Sequence, residues 1–189
     1  MMVLRAEEYA TVPWKNGGGA TREIAVHRDT HLHEDFLWRL SIAAVVRTGP
    51  FSRFDGVDRS IAVISGEGML LHSSGESARV TAGAPPFSFD GETEISSELL
   101  GGPTVDLNVM SRRRFFRHTM RRAQFSGWIT VKGTADQTLV VSNGVAELHS
   151  QRHCNLHPHD TVTDIFPGTM FELYSERATE IFIVELIRH

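Results

Sequence analysis

The segment Pro13-Trp14-Lys15-Asn16-Gly17-Gly18-Gly19-Ala20-Thr21-Arg22-Glu23-Ile24 sets three consecutive glycines between two cations, Lys15 and Arg22. With the side-chain amide of Asn16 and the backbone N–H groups of Gly17, Gly18 and Gly19, these cations make a kit for holding a small anion, a carboxylate or a phosphate. The same triplet also reads as a loop that turns the chain into a strand, because glycine serves tight turns and close backbone approach. Further polar chemistry comes from two alternating stretches. Arg39 and Ser41 share one face between Trp38 and Val46, and Asp106 and Asn108 share one face between Val105 and Met110. If those faces line a barrel interior, the four residues form a polar pocket, with Lys15, Asn16 and Arg22 at its mouth and Trp14 and Phe51 as apolar walls. Plain ion pairs, Arg39 with Asp106 or Asp58 with Arg59, are an alternative use of the same charges. Glu23, Asp58 and Asp106 become acid–base candidates only in a pocket that raises a carboxyl pKa.

Other chemistries lack their defining residues. Neither a Gly-x-Ser-x-Gly elbow nor a Gly-x-x-x-x-Gly-Lys-Ser/Thr phosphate loop occurs, and Lys15 precedes the glycines instead of following them. His153, His157 and His159 are the densest group among ten histidines. Pro158 splits the close pair, and no Glu or His completes a three-ligand metal set, so the group reads as a polar turn. His27, His31 and His33 read as loop residues. Cys154, the single cysteine, cannot form an internal disulfide and reads as a small buried side chain. Six arginines between 112 and 122, interleaved with Phe115, Phe116 and His118, could track phosphates and stack bases. A formal net charge of −4 supplies no wider positive surface, so this stretch reads as a connecting segment with solvated arginines. The expectation is therefore no catalytic residue, no metal or cofactor, no nucleic acid and no membrane partner.

The elements that must position the pocket are strands. Alternating apolar stretches separated by Gly, Pro, Asn and Asp clusters, with hardly any helical periodicity, predict an all-β sandwich or barrel. Ile61 to Ile64, Ser65 to Gly68 and Met69 to His72 read as strand, turn, strand. Asn143-Gly144, between Leu139 to Ser142 and Val145 to Leu148, carries the type I′ hairpin signature. Thr161 to Phe166 and Ile181 to Ile187 read as late strands. The arginine-rich segment marks a boundary between halves 1–111 and 112–189, each a β-barrel, with internal duplication suggested by their similar strand-turn-strand units. The chain has 189 residues, 41% of them hydrophobic, and can bury a sizeable core. No apolar run approaches the roughly 20 residues of a membrane-spanning helix, and no signal-peptide core follows Met1 to Arg5, so a cytoplasmic location is expected. Sheet edges leave a homodimer open.

Taken together, Trp14 to Gly19 with Thr21 to Ile24, Trp38 to Ala43, Gly49 to Ser52, Gly56 to Arg59, Gly102 to Thr104 and Asp106 to Met110 resemble the HutD/Ves family of the cupin superfamily. The resemblance runs over nearly the whole chain and is strongest before Arg113. It implies a bicupin, two jelly-roll barrels in one chain, and a bacterial accessory or regulatory protein of histidine utilisation. The implied ligand is a small carboxylated metabolite such as N-formylglutamate. The implied binding set adds Gly17, Gly18, Thr21 and Phe51 to the polar residues above. The usual cupin metal motif, His-x-His with a later Glu and His, is missing from the first half. The alternatives left standing are a cupin enzyme (isomerase, hydrolase or metal-dependent oxygenase) acting on a small anionic substrate, and an interaction module whose pocket is vestigial.

Overall fold

The computed structural model describes residues 1–189 except Lys15, Asn16, His33 and Arg152. The fold is all-β. Among the described residues the helical content is a 3-10 turn at Ala6–Glu8, and no helix is long and apolar enough to cross a membrane. The chain forms two compact units, Ala10–Arg117 with His189, and Met1–Tyr9 with His118–Arg188. The N-terminal residues, including strand β1 (Met2–Leu4), thus fold with the C-terminal portion of the chain, a long-range exchange that no local pattern announces.

The first unit contains β2 (Ala10–Pro13), β3 (Gly19–His27), β4 (Trp38–Val45), β5 (Gly49–Pro50), β6 (Val57–Ser65), β7 (Met69–Ser73), β8 (Glu76–Val80), β9 (Phe87–Asp90), β10 (Ser96–Leu99) and β11 (Thr104–Arg112). They make a six-stranded antiparallel sheet, β2-β3-β4-β11-β6-β9, and a four-stranded one, β5-β10-β7-β8. Val45, Ile61 and Val63 from the larger sheet and Met69, Leu71 and Val80 from the smaller share one buried cluster with Ile95. Each such side chain contributes about 1.5 to 3 kcal/mol when fully buried. The turn at Ser65 to Gly68 lies where expected and carries the chain from one sheet to the other. Gly68 takes φ +102 there, and a Cβ would stand 2.2 Å from the Val80 carbonyl oxygen.

The second unit contains β12 (Phe116–Lys132), β13 (Gln137–Ser142), β14 (Ala146–His149), β15 (His153–Leu156), β16 (Thr161–Ile165) and β17 (Met170–Arg188). With β1 they form a seven-stranded sheet ordered β1-β16-β13-β17-β14-β15, in which β12 also pairs with β17. One expectation is corrected here. Asn143-Gly144 does not close a hairpin: β13 pairs with Ile181 to Leu186 of β17, and β14 pairs with Glu172 to Tyr174 of the same strand. The Asn-Gly pair carries the chain along β17 and is pinned there, the Asn143 amide N–H donating to the Glu180 carbonyl at 2.9 Å. The arginine-rich stretch is mostly strand, in β11 and β12, and the division between the two units falls within it, after Arg117. Three of its arginines form ion pairs, Arg112 with Glu34 at 2.7 Å, Arg113 with Asp58 at 2.7 Å, and Arg122 with Glu180, while Arg113, Arg114, Arg117 and Arg121 are solvent-exposed as expected.

Asp160 fastens the N-terminal segment to β16. Its buried carboxylate accepts from Arg5 Nη1 at 2.6 Å and from the amides of Ala6 and His157 at 2.9 and 3.0 Å. Burial opposes its ionisation, but the two amides and the Arg5 guanidinium outweigh burial and hold its pKa below the ordinary value. A depressed acid pKa contributes stability that is present above the unfolded-state pKa and lost as pH falls through the folded one. Asp160→Ala is expected to lower unfolding stability by about 2 kcal/mol near neutrality, and by less at acid pH, as read from urea midpoints.

Candidate functional site

The register of the six-stranded sheet places a polar set on its core-facing side. Across β4, β11 and β6 the aligned rows are Arg39, Met110 and Arg59, then Ser41, Asn108 and Ile61, then Ala43, Asp106 and Val63. Cross-strand partners project to one side, so Arg39, Ser41, Arg59, Asp106 and Asn108 share the face that carries Ile61 and Val63 of the core. Ser41, Arg59, Asp106 and Asn108 are each no more than 7% exposed. Thr21 and Glu23 of β3 extend the rows, opposite Ala43 and Ser41.

Aromatic rings hold the two guanidinium groups. The Arg59 guanidinium carbon lies 4.9, 5.3 and 5.7 Å from the ring centroids of Phe89, Phe51 and Phe54, and its Nη1 donates to the Ser52 carbonyl at 3.1 Å. Arg39 lies 5.1 and 5.8 Å from Phe36 and Phe54, with Nη2 3.1 Å from Met110 Sδ. Ring faces attract a cation but leave its N–H groups unspent. Burial lowers the Arg59 pKa to about 10, with Asp106 opposing that shift and Arg39 adding to it. Burial likewise lowers Arg39. Burial raises Asp106 to about 7 against the attraction of Arg59.

Arg39 Nε, Ser41 Oγ, Arg59 Nε and Asn108 Oδ1 are buried on this face with no hydrogen-bond partner among the described residues. Native structures rarely leave such groups unpaired, since each costs about 1 to 3 kcal/mol. Three donors and one acceptor within a few residues of one another suit a ligand bearing a carboxylate and an N–H or O–H group.

The structure brings together Arg39, Ser41, Asp106 and Asn108 as expected, with Thr21 level with Ala43 and Phe51 against Arg59. Trp14 Nε1 donates to Thr21 Oγ1 at 2.8 Å and packs on the same core cluster. Lys15 and Asn16 lie outside the described residues. The glycine triplet turns the chain into β3, the second of its two readings. Gly17 takes φ +67 and donates its amide to the Trp14 carbonyl at 3.0 Å, while Gly18 accepts from the Val46 amide. Gly19 is required by close packing, since a Cβ would meet the Ala44 carbonyl oxygen at 2.1 Å. Turn closure and strand contact thus use the Gly17 amide and the Gly18 and Gly19 carbonyls. Arg22 does not join the set: it aligns with Thr11 and Ile42, on the opposite side of β3 from Thr21 and Glu23. Arg22→Ala is accordingly expected to change carboxylate affinity less than threefold in calorimetry, whereas Arg39→Ala weakens it by at least tenfold.

Sequence reasoning missed Arg59, because its neighbour Asp58 offered an ion pair. Asp58 projects to the other side of β6 and binds Arg113. The available signal was the phase of Val57, Arg59, Ile61 and Val63, which puts an arginine in a core-facing row. The three C-terminal histidines are spread out: His153 faces His149 across β14 and β15, and the His159 amide donates to the Ser142 carbonyl at 2.6 Å. A surface cavity of about 1080 Å³ in the second unit has Arg122, Asn143 and Glu180 in its lining. These groups already bind one another, so the buried face of the first unit is the better site.

The HutD family model matches residues 6–178. The chain belongs to the HutD family. This HutD-family protein is 38% identical over 140 residues to an uncharacterized 21.2 kDa protein in the hutC 3′ region of Pseudomonas putida, covering 74% of the chain and 72% of the relative. It is 31% identical over 136 residues to protein Ves of Escherichia fergusonii, covering 71% and 69%. Among solved structures, HutD from Pseudomonas fluorescens (formate condition) superposes with a TM-score of 0.84 at 31% identity, covering 100% of this chain and 98% of that one. A Cupin 2 conserved barrel domain protein from Leptotrichia buccalis, at 6% identity and a TM-score of 0.62 over 96% and 99% of the chains, shares the fold and makes it cupin-like.

Proposed function

We propose that this HutD-family protein binds a small carboxylated metabolite on the buried polar face of its first unit, without a metal, as an accessory or regulatory factor of histidine utilisation. N-formylglutamate is the leading ligand. The frame is read as a bicupin of two jelly-roll barrels, in keeping with its cupin-like neighbours and its two compact units. The observation that carries the reading is the row of unpaired atoms Arg39 Nε, Ser41 Oγ, Arg59 Nε and Asn108 Oδ1. Arg59 and Arg39 neutralise carboxylate charge, and Ser41 and Asn108 orient the remaining polar groups. The link to histidine utilisation comes from the names of HutD and of the hutC-region relative.

One observation favours a second reading, a metal-free enzyme. Asp106, buried and with its pKa raised to about 7, has the protonation balance of a general acid or base. Calorimetry with N-formylglutamate, glutamate, histidine and urocanate, followed by NMR of the recovered ligand, tests both. Saturable heat with unaltered ligand fits the binder, and a new product fits the enzyme. Absence of heat and of turnover with all four, in folded protein, contradicts both.

A further inference from the structure

The four-stranded sheet of the first unit carries a separate constellation that local sequence patterns cannot reveal. His72 of β7 and Ser77 of β8 are directly opposed across a hairpin, and Ser77 Oγ lies 2.8 Å from His72 Nδ1. Glu98 of β10 places Oε2 3.1 Å from Nε2 of the same ring. His72 and Ser77 border a surface cavity of about 860 Å³ that Phe51 and Ile95 also line. We propose that Ser77, His72 and Glu98 form a second site that hydrolyses small carboxylic esters, with Ser77 as nucleophile.

The carboxylate is what makes the serine–histidine contact useful. Glu98 accepts a hydrogen bond from Nε2–H and so favours the tautomer in which Nδ1 carries a free lone pair. That lone pair faces the Ser77 hydroxyl. The nitrogens are exchanged relative to the familiar serine hydrolases, but the roles of nucleophile, base and orienting acid are the same, and roles define such a site. The hairpin geometry adds a fourth part. Its loop is Ser74-Gly75, with φ +44 and +88, so the adjoining Ser73–Glu76 pair exchanges backbone hydrogen bonds and His72–Ser77 is the closer, non-bonded pair. Because β8 is an edge strand, the Ser77 N–H points away from β7, where it can donate to an oxyanion forming on a carbonyl attached to Ser77 Oγ.

The chemistry balances with water as co-reactant. Ser77 Oγ bonds to the ester carbonyl carbon while its proton passes to His72 Nδ1 and the carbonyl π pair moves to oxygen. Collapse breaks the carbon–alkoxy bond, and the leaving alcohol or phenol takes the proton from Nδ1. Water then repeats the sequence on the acyl-serine, releasing the carboxylic acid and restoring the hydroxyl. Phe51 and Ile95 give the acyl chain an apolar contact. His72 and Glu98 are partly solvent-exposed, so the site is expected to be slow and to favour activated esters.

The test is p-nitrophenyl acetate hydrolysis together with labelling by a fluorophosphonate, which phosphonylates an activated serine with loss of fluoride. Expected results are turnover above buffer, a label on the Ser77 peptide by mass spectrometry, at least a tenfold loss of both in Ser77→Ala and His72→Gln, and a smaller loss in Glu98→Gln. Thermal melting confirms that the variants remain folded. A label elsewhere or none, or Ser77→Ala hydrolysing at the wild-type rate, overturns the proposal. So does labelling of Ser77 that is indifferent to His72→Gln.

Discussion

Arg59→Ala is expected to lower affinity for the proposed carboxylated ligand roughly 100-fold, about 3 kcal/mol at 25 °C. Two effects combine. The variant loses a charge-assisted hydrogen bond, worth about 1.5 to 3 kcal/mol. It also takes away a buried guanidinium charge that offsets the cost of desolvating the ligand's carboxylate. Arg59→Lys separates charge from geometry. A lysine restores the positive charge but not the planar fork that the rings of Phe51, Phe54 and Phe89 support, so affinity should recover only in part. Calorimetric titration of the two variants measures both losses, and equal affinity in wild type and Arg59→Ala places the site elsewhere.

Asp106→Asn should change how stability depends on pH. Burial raises the folded-state pKa of Asp106 to about 7, whereas an unfolded Asp releases its proton near 3.9. Between those values the folded chain binds more protons than the unfolded one, so stability falls as pH rises through this window. At about 1.4 kcal/mol per pKa unit, the loss attributable to Asp106 reaches about 4 kcal/mol by pH 7 to 8. Asn cannot ionise and escapes that loss. Urea midpoints for wild type and variant at pH 4.5 and pH 8 should therefore diverge in favour of the variant at the higher pH, and parallel curves would show an Asp106 that ionises normally. The same ionisation acts on binding. Carboxylate affinity in the wild type should drop as pH rises through about 7, because ionised Asp106 repels the ligand, and Asp106→Asn should flatten that dependence.

Much of the site's frame was legible because strand alternation is a local property. The phases of Trp38 to Val46 and Val105 to Met110 were enough to put Arg39 and Ser41, and Asp106 and Asn108, on single faces, and the register then joined the two pairs. What was not legible is non-local. Asn143-Gly144 looks like a hairpin because turn propensity is local, while β17 comes from some 30 residues farther along and takes the place between the flanking strands. The use of the glycine triplet was hidden for a related reason: the Gly17 amide donates to the Trp14 carbonyl, the Gly18 carbonyl accepts from Val46 and Gly19 packs on Ala44, contacts that only the folded chain supplies. Arg22 sits one residue from Thr21, and a single step along a strand sends it to the opposite side of the sheet. Arg59 was hidden by its neighbour, an adjacency that a strand turns into opposition. The Ser77, His72 and Glu98 group spans three strands and has no spacing signature at all.

The proposed carboxylate site lies on the buried face of β4, β11 and β6, and a crystal structure of the protein saturated with N-formylglutamate is its decisive test. Carboxylate oxygens are expected to accept from Arg59 Nε and Arg39 Nε, with Ser41 Oγ and Asn108 Oδ1 bonded to the rest of the ligand. A ligand seated elsewhere at saturation, with those four atoms out of its reach, overturns the proposed site.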